Sequence, residues 1–228
     1  FRKLVTTGKP WVIAKWAITL DGYMATQPGA DRWISSPESR AIVHALRGRC
    51  DAIAVGIGTV LADDPLLTAR PAGVRTPLRI VLDSNACLPP ESAVVRTAGE
   101  TPVLVAVGPE APAARIAALR AAGCEVWQSP ETSAARRLDD LLVELGTRRL
   151  TNLLVEGGPT VFGSFFAAGD VDEVWTFIAP RRLADFTAAD DAGTQVLPPR
   201  MIDTPPLDVE SVSQPGGDTF IRGLVRNR

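Results

Sequence analysis

Short apolar runs alternate with stretches of helical periodicity along most of the chain. Such alternation favours a largely parallel sheet with helices packed on both of its faces. The apolar runs predict strands at residues 12–19, 52–55, 79–82, 103–107, 124–127, 153–155 and 173–178. Amphipathic spacing predicts helices at residues 36–49, 111–122, 133–145 and 159–168. The pattern therefore predicts an α/β fold.

The C-terminal part of the sequence has a different pattern. Two apolar strands flank Pro215-Gly216-Gly217-Asp218, a turn sequence that favours a β-hairpin, so the sheet is expected to be mixed. Residues 183–206 are rich in Ala, Asp and Pro and are predicted to form a long loop. Because we find no repeat and no boundary, we expect one domain over residues 1–228, with residues 1–10 as a linker-like segment.

The first long helix carries the clearest local signals. Ser36 is a typical N-cap residue, and Pro37 suits the first helical position. Ile42, Ala45 and Leu46 are predicted to share the buried face of this helix.

Composition narrows the class of function. Hydrophobic residues make up 46% of the chain, enough for a substantial core, and the formal net charge is -2. This charge argues against a general nucleic-acid binder, so an anionic ligand must be met by individual arginines and helix ends. We find no signal peptide and no apolar run of membrane-spanning length. A first residue other than Met suggests that the true start of the protein is missing.

The numbers of cysteines and histidines argue against disulfide bonds and against a zinc site. Cys50, Cys87 and Cys124 lie far apart and are odd in number, which indicates reduced thiols and a cytoplasmic protein. His44 is the only histidine, so a zinc site would lack ligands and no metal is expected. Its place within a helix favours a structural or surface role over catalysis.

Two glycine-rich turns follow apolar strands. The stronger one, with Glu156 before it, comprises Gly157, Gly158, Pro159, Thr160, Val161, Phe162, Gly163 and Ser164. Its glycines would let backbone amides approach a phosphate at the positive end of a helix, although a tight strand-to-helix turn explains them equally well. The spacing is not the Rossmann fingerprint, so a Rossmann dehydrogenase is disfavoured. The second turn runs over residues 56–65, where Asp63 and Asp64 either cap the turn or bond a ligand hydroxyl.

Isolated polar and aromatic side chains are also candidates. Lys15 interrupts an apolar strand on the face of Trp11, Ile13 and Ala17, so a buried ammonium there needs an acidic partner or a ligand anion. Arg47 and Arg70 are suited to bidentate phosphate contacts. Trp33 either stacks on a flat ring or fills the core.

Seven stretches, in order, resemble the reductase domain of bacterial bifunctional riboflavin-biosynthesis deaminase-reductases, which have a dihydrofolate reductase-like fold. They lie at residues 7–12, 15–22, 33–36, 56–65, 79–84, 155–159 and 178–180 and cover nearly the whole chain. The resemblance implies a three-layer αβα fold with a central mixed, mostly parallel sheet and a C-terminal β-hairpin. It also implies a homodimer, with a deaminase domain on the same or another chain.

The resemblance further implies an activity and a set of site residues. The family reduces the ribosylamino side chain of 5-amino-6-(5-phosphoribosylamino)uracil to ribitylamino with NADPH, by hydride addition at C1′ once the sugar has opened to an imine. The implied cofactor contacts are Ala17, Trp33, Thr59, Asp63, Ser84 and residues 157–164. The implied substrate contacts are Lys15, Asp31, Arg47, Leu67, Arg70 and Glu156. Lys15, Glu156 and Asp63 are the candidates for proton transfer and orientation.

Departures from the family pattern leave the substrate open. Asp31 stands where relatives commonly carry Ser, and residues 181–185 differ from the usual segment. A carboxylate near an anionic substrate should weaken binding unless Asp31 points away or pairs with Arg32. The alternatives are a reductase of the same fold that acts on the non-deaminated diaminopyrimidine, on a pterin or on dihydrofolate, and a catalytically silent binding or dimerisation paralogue.

Overall fold

A computed structural model of the chain describes residues 1–24, 33–186, 201 and 204–226. The strands are β1 (Trp11–Ile18), β2 (Ala52–Gly56), β3 (Leu78–Leu82), β4 (Val103–Val107), β5 (Glu125–Gln128), β6 (Asn152–Val155), β7 (Glu173–Ile178), β8 (Leu207–Ser213) and β9 (Thr219–Val225). The helices are α1 (Arg2–Thr7), α2 (Pro37–Arg47), α3 (Ile57–Asp63), α4 (Ala93–Arg96), α5 (Ala113–Ala121), α6 (Ala134–Thr147) and α7 (Pro159–Ala167), and 3₁₀ turns lie at Leu183–Phe186 and Pro215–Gly217.

Within the described ranges, the strands form one sheet in the order β5-β4-β3-β2-β6-β1-β7-β9-β8. Strands β1 to β7 pair in parallel, whereas β9 runs antiparallel to β7 and β8 antiparallel to β9. The predicted mostly parallel mixed sheet with a C-terminal hairpin is confirmed. Predicted and observed strand ends differ by one residue at most in β1 to β7.

Helices cover both faces of the sheet and bury two apolar clusters. One cluster joins Ile13, Leu154 and Phe177 of the sheet to residues of α2, α3, α4 and α5. The other joins Val12 and Val155 to the apolar faces of α6 and α7. Burial of these faces, at roughly 25 cal/mol per Å² of apolar surface, stabilises the predicted three-layer arrangement.

The start of α2 confirms the predicted cap. The Ser39 amide donates a hydrogen bond to Ser36 Oγ at 3.1 Å, and Pro37 is the first helical residue. The predicted buried face needs one correction, because Ala45 is exposed and Val43 is buried beside Leu46. Positions 39, 43 and 46 follow the spacing of one helical face, and residue 45 lies outside that face.

Local order also occurs where the pattern predicted none. The segment expected to be linker-like contains α1, which has no buried residue of its own. Lys3 ties it to the sheet by donating to Asp172 Oδ2 at 2.5 Å. The second glycine turn contains α3. The predicted loop over 183–206 begins with the 3₁₀ turn at Leu183–Phe186. Residues 187–200, 202 and 203 lie outside the described residues, as do Asp31 and Arg32. Each described helix is too short or too polar to cross a bilayer.

Candidate active site

The middle of the sheet is the point where the order of the strands changes direction. The chain builds β2 to β5 outward on one side, and β6 then inserts between β2 and β1. In α/β sheets, ligands bind at the carboxyl ends of strands beside such a switch point. Glu156, Gly157 and Gly158 follow β6 directly and lie at this edge.

Sheet register brings two predicted catalytic residues together. Ala14 of β1 pairs with Val155 of β6, so the next residue on each strand, Lys15 and Glu156, are neighbours. Parallel strands in register direct such side chains to the same face. This is the face that α2 covers.

Arg47, the last residue of α2, clamps Glu156. Its Nε and Nη2 donate to the two carboxylate oxygens at 2.6 and 2.9 Å, a bidentate arrangement. The exposed fractions of the two side chains are only 13% and 10%. Arg47 Nη1 also donates to the Thr68 carbonyl oxygen at 3.3 Å. The clamp therefore holds an ionised carboxylate in a fixed orientation at the edge of the sheet.

The charges of this cluster are set by burial and by each other. Burial alone would raise the pKa of Glu156, but Arg47, by its charge and hydrogen bonds, and the nearby Lys15 hold that pKa below its usual range. Burial lowers the pKa of Lys15, and the charge of Glu156 offsets this effect only in part. Glu156 is thus kept ionised, whereas Lys15 releases its proton more readily than a surface lysine does.

Lys15 has a carboxylate nearby but no hydrogen bond to it. The predicted acidic partner is close enough to act on its pKa, yet no described residue accepts a hydrogen bond from its ammonium. The Nζ atom lies 5.7 Å from the centroid of the Phe177 ring. A half-buried ammonium with no such acceptor is suited to donate to a ligand.

His44 and Arg70 extend the cluster toward the surface. His44 Nδ1 lies 3.3 Å from the Thr68 carbonyl oxygen, and Arg70 Nη2 lies 3.4 Å from His44 Nε2. Burial and the charges of Arg47 and Arg70 lower the pKa of His44. The rim therefore carries the exposed guanidinium of Arg70 beside a neutral imidazole, whereas the charge of Arg47 is already matched by Glu156. Arg70 is thus the group of this rim that favours an anion.

The two glycines after β6 have different surroundings. A Cβ added to Gly157 would lie 2.7 Å from Val161 Cβ, so packing alone requires glycine there. A Cβ added to Gly158 would meet nothing within 4 Å. Gly158 is the N-cap of α7, and no side chain caps the first turn of that helix. The tight-turn interpretation accounts for Gly157, and the open space at Gly158 fits a ligand phosphate.

A pocket of about 220 Å³ lies on the α6 and α7 side of the same edge. Val107, Trp127 and Leu138 give it apolar walls, and Ser84 with Thr160 lies at its polar margin. Such a mixture is typical of a small-molecule site. Arg137 of α6 also lines this pocket and donates to Ser84 Oγ at 3.2 Å.

The other predicted site residues are more dispersed. Ala17 lies on the Lys15 face of β1, Thr59 lies in the first turn of α3, and exposed Asp63 ends that helix. Asp64 has a structural role, because its Oδ1 accepts the Ala93 amide at 2.6 Å. Trp33 is 46% exposed, with the Arg40 guanidinium 4.7 Å from its ring centroid.

Two predicted contacts have buried side chains. Leu67 is packed in the core with a positive φ of 54°, so only its backbone is available to a substrate. Phe162 is fully buried against Trp16, at a centroid distance of 5.3 Å, so its side chain serves the core. Asp31 lies outside the described residues.

Some residues of this region were not predicted. Thr68 orients both Arg47 and His44 through its carbonyl oxygen, and Trp127 and Arg137 line the pocket. A backbone carbonyl leaves no signal in the sequence. The signal for Arg137 was its place in the first turn of a helix that follows a strand, but α6 carries an adjacent arginine of equal appearance.

Comparison with known proteins gives relatives over most of the chain. The RibD C-terminal domain family matches residues 10–204. The riboflavin biosynthesis protein RibD of Aquifex aeolicus is 35% identical over 194 residues, which cover 85% of this chain and 52% of that protein. The 2,5-diamino-6-ribosylamino-4(3H)-pyrimidinone 5′-phosphate reductase of Methanothermobacter thermautotrophicus is 42% identical over 177 residues, which cover 75% of this chain and 78% of that protein.

A solved structure shows that the fold of this chain is also similar to that of a riboflavin-biosynthesis enzyme. The diaminohydroxyphosphoribosylaminopyrimidine deaminase/5-amino-6-(5-phosphoribosylamino)uracil reductase of Thermotoga maritima superposes with a TM-score of 0.75 and 26% identity. The match covers 99% of this chain and 59% of that one. The chain thus spans about half the length of the RibD proteins that it matches.

Proposed function

The chain belongs to the RibD C-terminal domain family, and on that premise we propose that it is an NADPH-dependent reductase of riboflavin biosynthesis. Its substrate is 5-amino-6-(5-phosphoribosylamino)uracil, whose ribosylamino side chain becomes ribitylamino. The observation that carries the proposal is the buried cluster of Lys15, Glu156 and Arg47, built at the sheet edge where the family match and the predicted site coincide.

The sheet edge fits a nicotinamide dinucleotide. Gly158 leaves open space at the N-terminus of α7, where backbone amides favour a pyrophosphate. The pocket beside Ser84 supplies apolar walls for an adenine on the same side. When bound, the reduced nicotinamide supplies the hydride that C1′ of the sugar accepts.

Lys15 is the proton donor in this proposal. Opening the ribosylamine ring breaks the bond between C1′ and the ring oxygen, so that oxygen must gain a proton. The lowered pKa of Lys15 and its lack of a described hydrogen-bond acceptor suit it to give that proton. One proton at the ring oxygen and one hydride at C1′ balance the reduction.

Glu156 and Arg70 hold the substrate in this proposal. Glu156 stays ionised, so it accepts hydrogen bonds from sugar hydroxyls or the pyrimidine and does not give a proton. Arg70, at the rim beside His44, is placed to meet the 5′-phosphate. Arg47 is engaged with Glu156 and orients that carboxylate.

A second substrate is favoured by one relative. The Methanothermobacter protein, 42% identical to this chain, is named for the non-deaminated diaminopyrimidinone phosphate. The two candidate substrates differ at a single position of the pyrimidine ring. The same cluster and the same hydride chemistry serve both.

A substrate panel tests the proposal. We expect the chain to oxidise NADPH when it is given the ribosylamino uracil phosphate or its diamino counterpart. The loss of nicotinamide absorbance measures this oxidation. The ratio of kcat/KM for the two identifies the substrate, and dihydrofolate is the negative control. NADPH binding without oxidation of any substrate would overturn the proposal in favour of a silent paralogue.

We also propose that the chain assembles as a homodimer through its C-terminal hairpin. Six of the seven residues of β8 are exposed, and in the described part of the chain this strand pairs only with β9. A free strand edge of this kind is suited to pair across an interface. In sedimentation equilibrium, a molecular mass of twice the chain mass would support the dimer. A mass equal to that of one chain at micromolar concentration would overturn it.

A further inference from the structure

The pocket beside Ser84 contains an arginine that the reduction does not use. Arg137 lies in the first turn of α6 and is half-buried. Its Nη2 donates to Ser84 Oγ at 3.2 Å, and its Nη1 donates to the carbonyl oxygens of Glu131, at 3.3 Å, and Thr132. None of the ion pairs between described residues includes Arg137.

The neighbouring arginine shows how specific this placement is. The Arg136 side chain is 75% exposed and forms an ion pair with Glu131 at 3.7 Å. It does not line the pocket, whereas Arg137 does. Two adjacent arginines of one helix thus have different surroundings, and only Arg137 directs an uncompensated charge to the margin of the pocket.

The nearby carboxylate does not neutralise this charge. Asp83 is buried, and its Oδ2 accepts the Leu88 amide at 2.7 Å, so it is engaged by the loop after β3. The exposed partner at the pocket margin is the hydroxyl of Ser84. A guanidinium beside a hydroxyl, above apolar walls, matches a phosphate attached to a nucleoside.

We propose that Arg137 selects NADPH over NADH by binding the 2′-phosphate of the adenosine half, with Ser84 as a second donor. This inference rests on the proposed function, because it requires the dinucleotide to lie along the sheet edge with its adenine in the pocket. The 2′-phosphate is the only chemical difference between the two cofactors. A planar guanidinium can meet two of its oxygens at once, and α6 holds the side chain at the required margin.

Binding of nucleotide fragments tests the assignment without turnover. Adenosine 2′,5′-bisphosphate carries the extra phosphate, and 5′-AMP lacks it. With the full chain in a calorimetric titration, we expect Arg137→Ala to weaken the bisphosphate by about 10- to 100-fold and to change 5′-AMP by less than about twofold. Arg137→Lys should be intermediate, because it keeps the charge and loses the planar fork. The matched control, Arg136→Ala, should change neither affinity.

Four other results would overturn the assignment of Arg137 or the proposed function. An unchanged ratio of the two affinities in Arg137→Ala overturns the assignment. An equal loss of both fragments also overturns it, because it indicates a structural role. Arg115 donates to the Asn85 carbonyl and to Cys87 Sγ nearby, at 3.3 and 3.2 Å, so loss of the preference in Arg115→Ala but not in Arg137→Ala would overturn it in favour of Arg115. A wild-type chain that binds neither NADPH nor NADH contradicts the proposed function itself.

Discussion

Replacing Arg47 by methionine tests how the buried cluster is held together. The change removes both hydrogen bonds to Glu156 and leaves a carboxylate of only 10% side-chain exposure without its main partner. Breaking a buried pair in this way costs about 3–5 kcal/mol. The charge of Lys15 also acts on the carboxylate, so we expect the lower end of this range, about 3 kcal/mol, near pH 8.

The pH dependence of this loss gives the sharper test. In the wild-type chain the pKa of Glu156 is lowered, so its contribution to stability is present above the unfolded pKa of about 4.3 and is lost as pH falls through the folded pKa. Without Arg47, burial dominates and raises the folded pKa. The variant then loses stability as pH rises from about 4.3 toward that raised pKa, by about 1.4 kcal/mol per pH unit.

The assay is urea unfolding of both chains near pH 8 and near pH 5. The difference in the free energy of unfolding should be larger near pH 8 by about 1–2 kcal/mol. Arg49→Met, at an exposed arginine just after the same helix, is the matched control and should stay within about 0.5 kcal/mol at both values. A penalty that is independent of pH, or no larger than that of the control, would refute the clamp.

Three further predictions concern individual residues. Lys15→Met should lose most turnover because it removes the proposed proton donor. It should keep cofactor affinity and the melting temperature, because the ammonium has no described hydrogen-bond acceptor; wild-type turnover contradicts the role. Gly157→Ala should lower the free energy of unfolding by about 1–3 kcal/mol, because its Cβ meets a neighbouring valine, whereas Gly158→Ala should fold normally and weaken NADPH binding; equal effects on stability contradict this division. Burial raises the pKa of Cys50 to about 12, so iodoacetamide near pH 8 should label exposed Cys87 first in a mass-spectrometric time course, and equal rates contradict this.

Much of the sheet was predictable because its signals are local. Strands β1 to β7 are short apolar runs bounded by turn residues, and α2 has Ser36 and Pro37 at its start. In contrast, α1 lacks an apolar face, and Lys3 fixes it through a carboxylate 169 residues away. Order that depends on such a distant contact leaves no periodicity in the sequence.

The site was predictable in its residues and not in its arrangement. Lys15 stood out as a charge in an apolar strand, and Glu156 stood out before a glycine turn. Their proximity depends on the insertion of β6 between β1 and β2, a non-local property of the sheet. The Arg47 clamp and the Thr68 carbonyl depend in turn on how α2 and the loop after α3 pack at that edge.

The most direct measurement is the mass of the product. Incubation of the chain with NADPH and the ribosylamino uracil phosphate, or its diamino counterpart, should yield a compound heavier by two hydrogen atoms, in equal amount to the NADPH consumed. The same incubation with Lys15→Met should leave nearly all of the substrate unchanged while NADPH still binds. Substrate recovered at its original mass from the wild-type reaction, with NADPH bound, would contradict the assignment of this site as a ribosylamino-pyrimidine reductase.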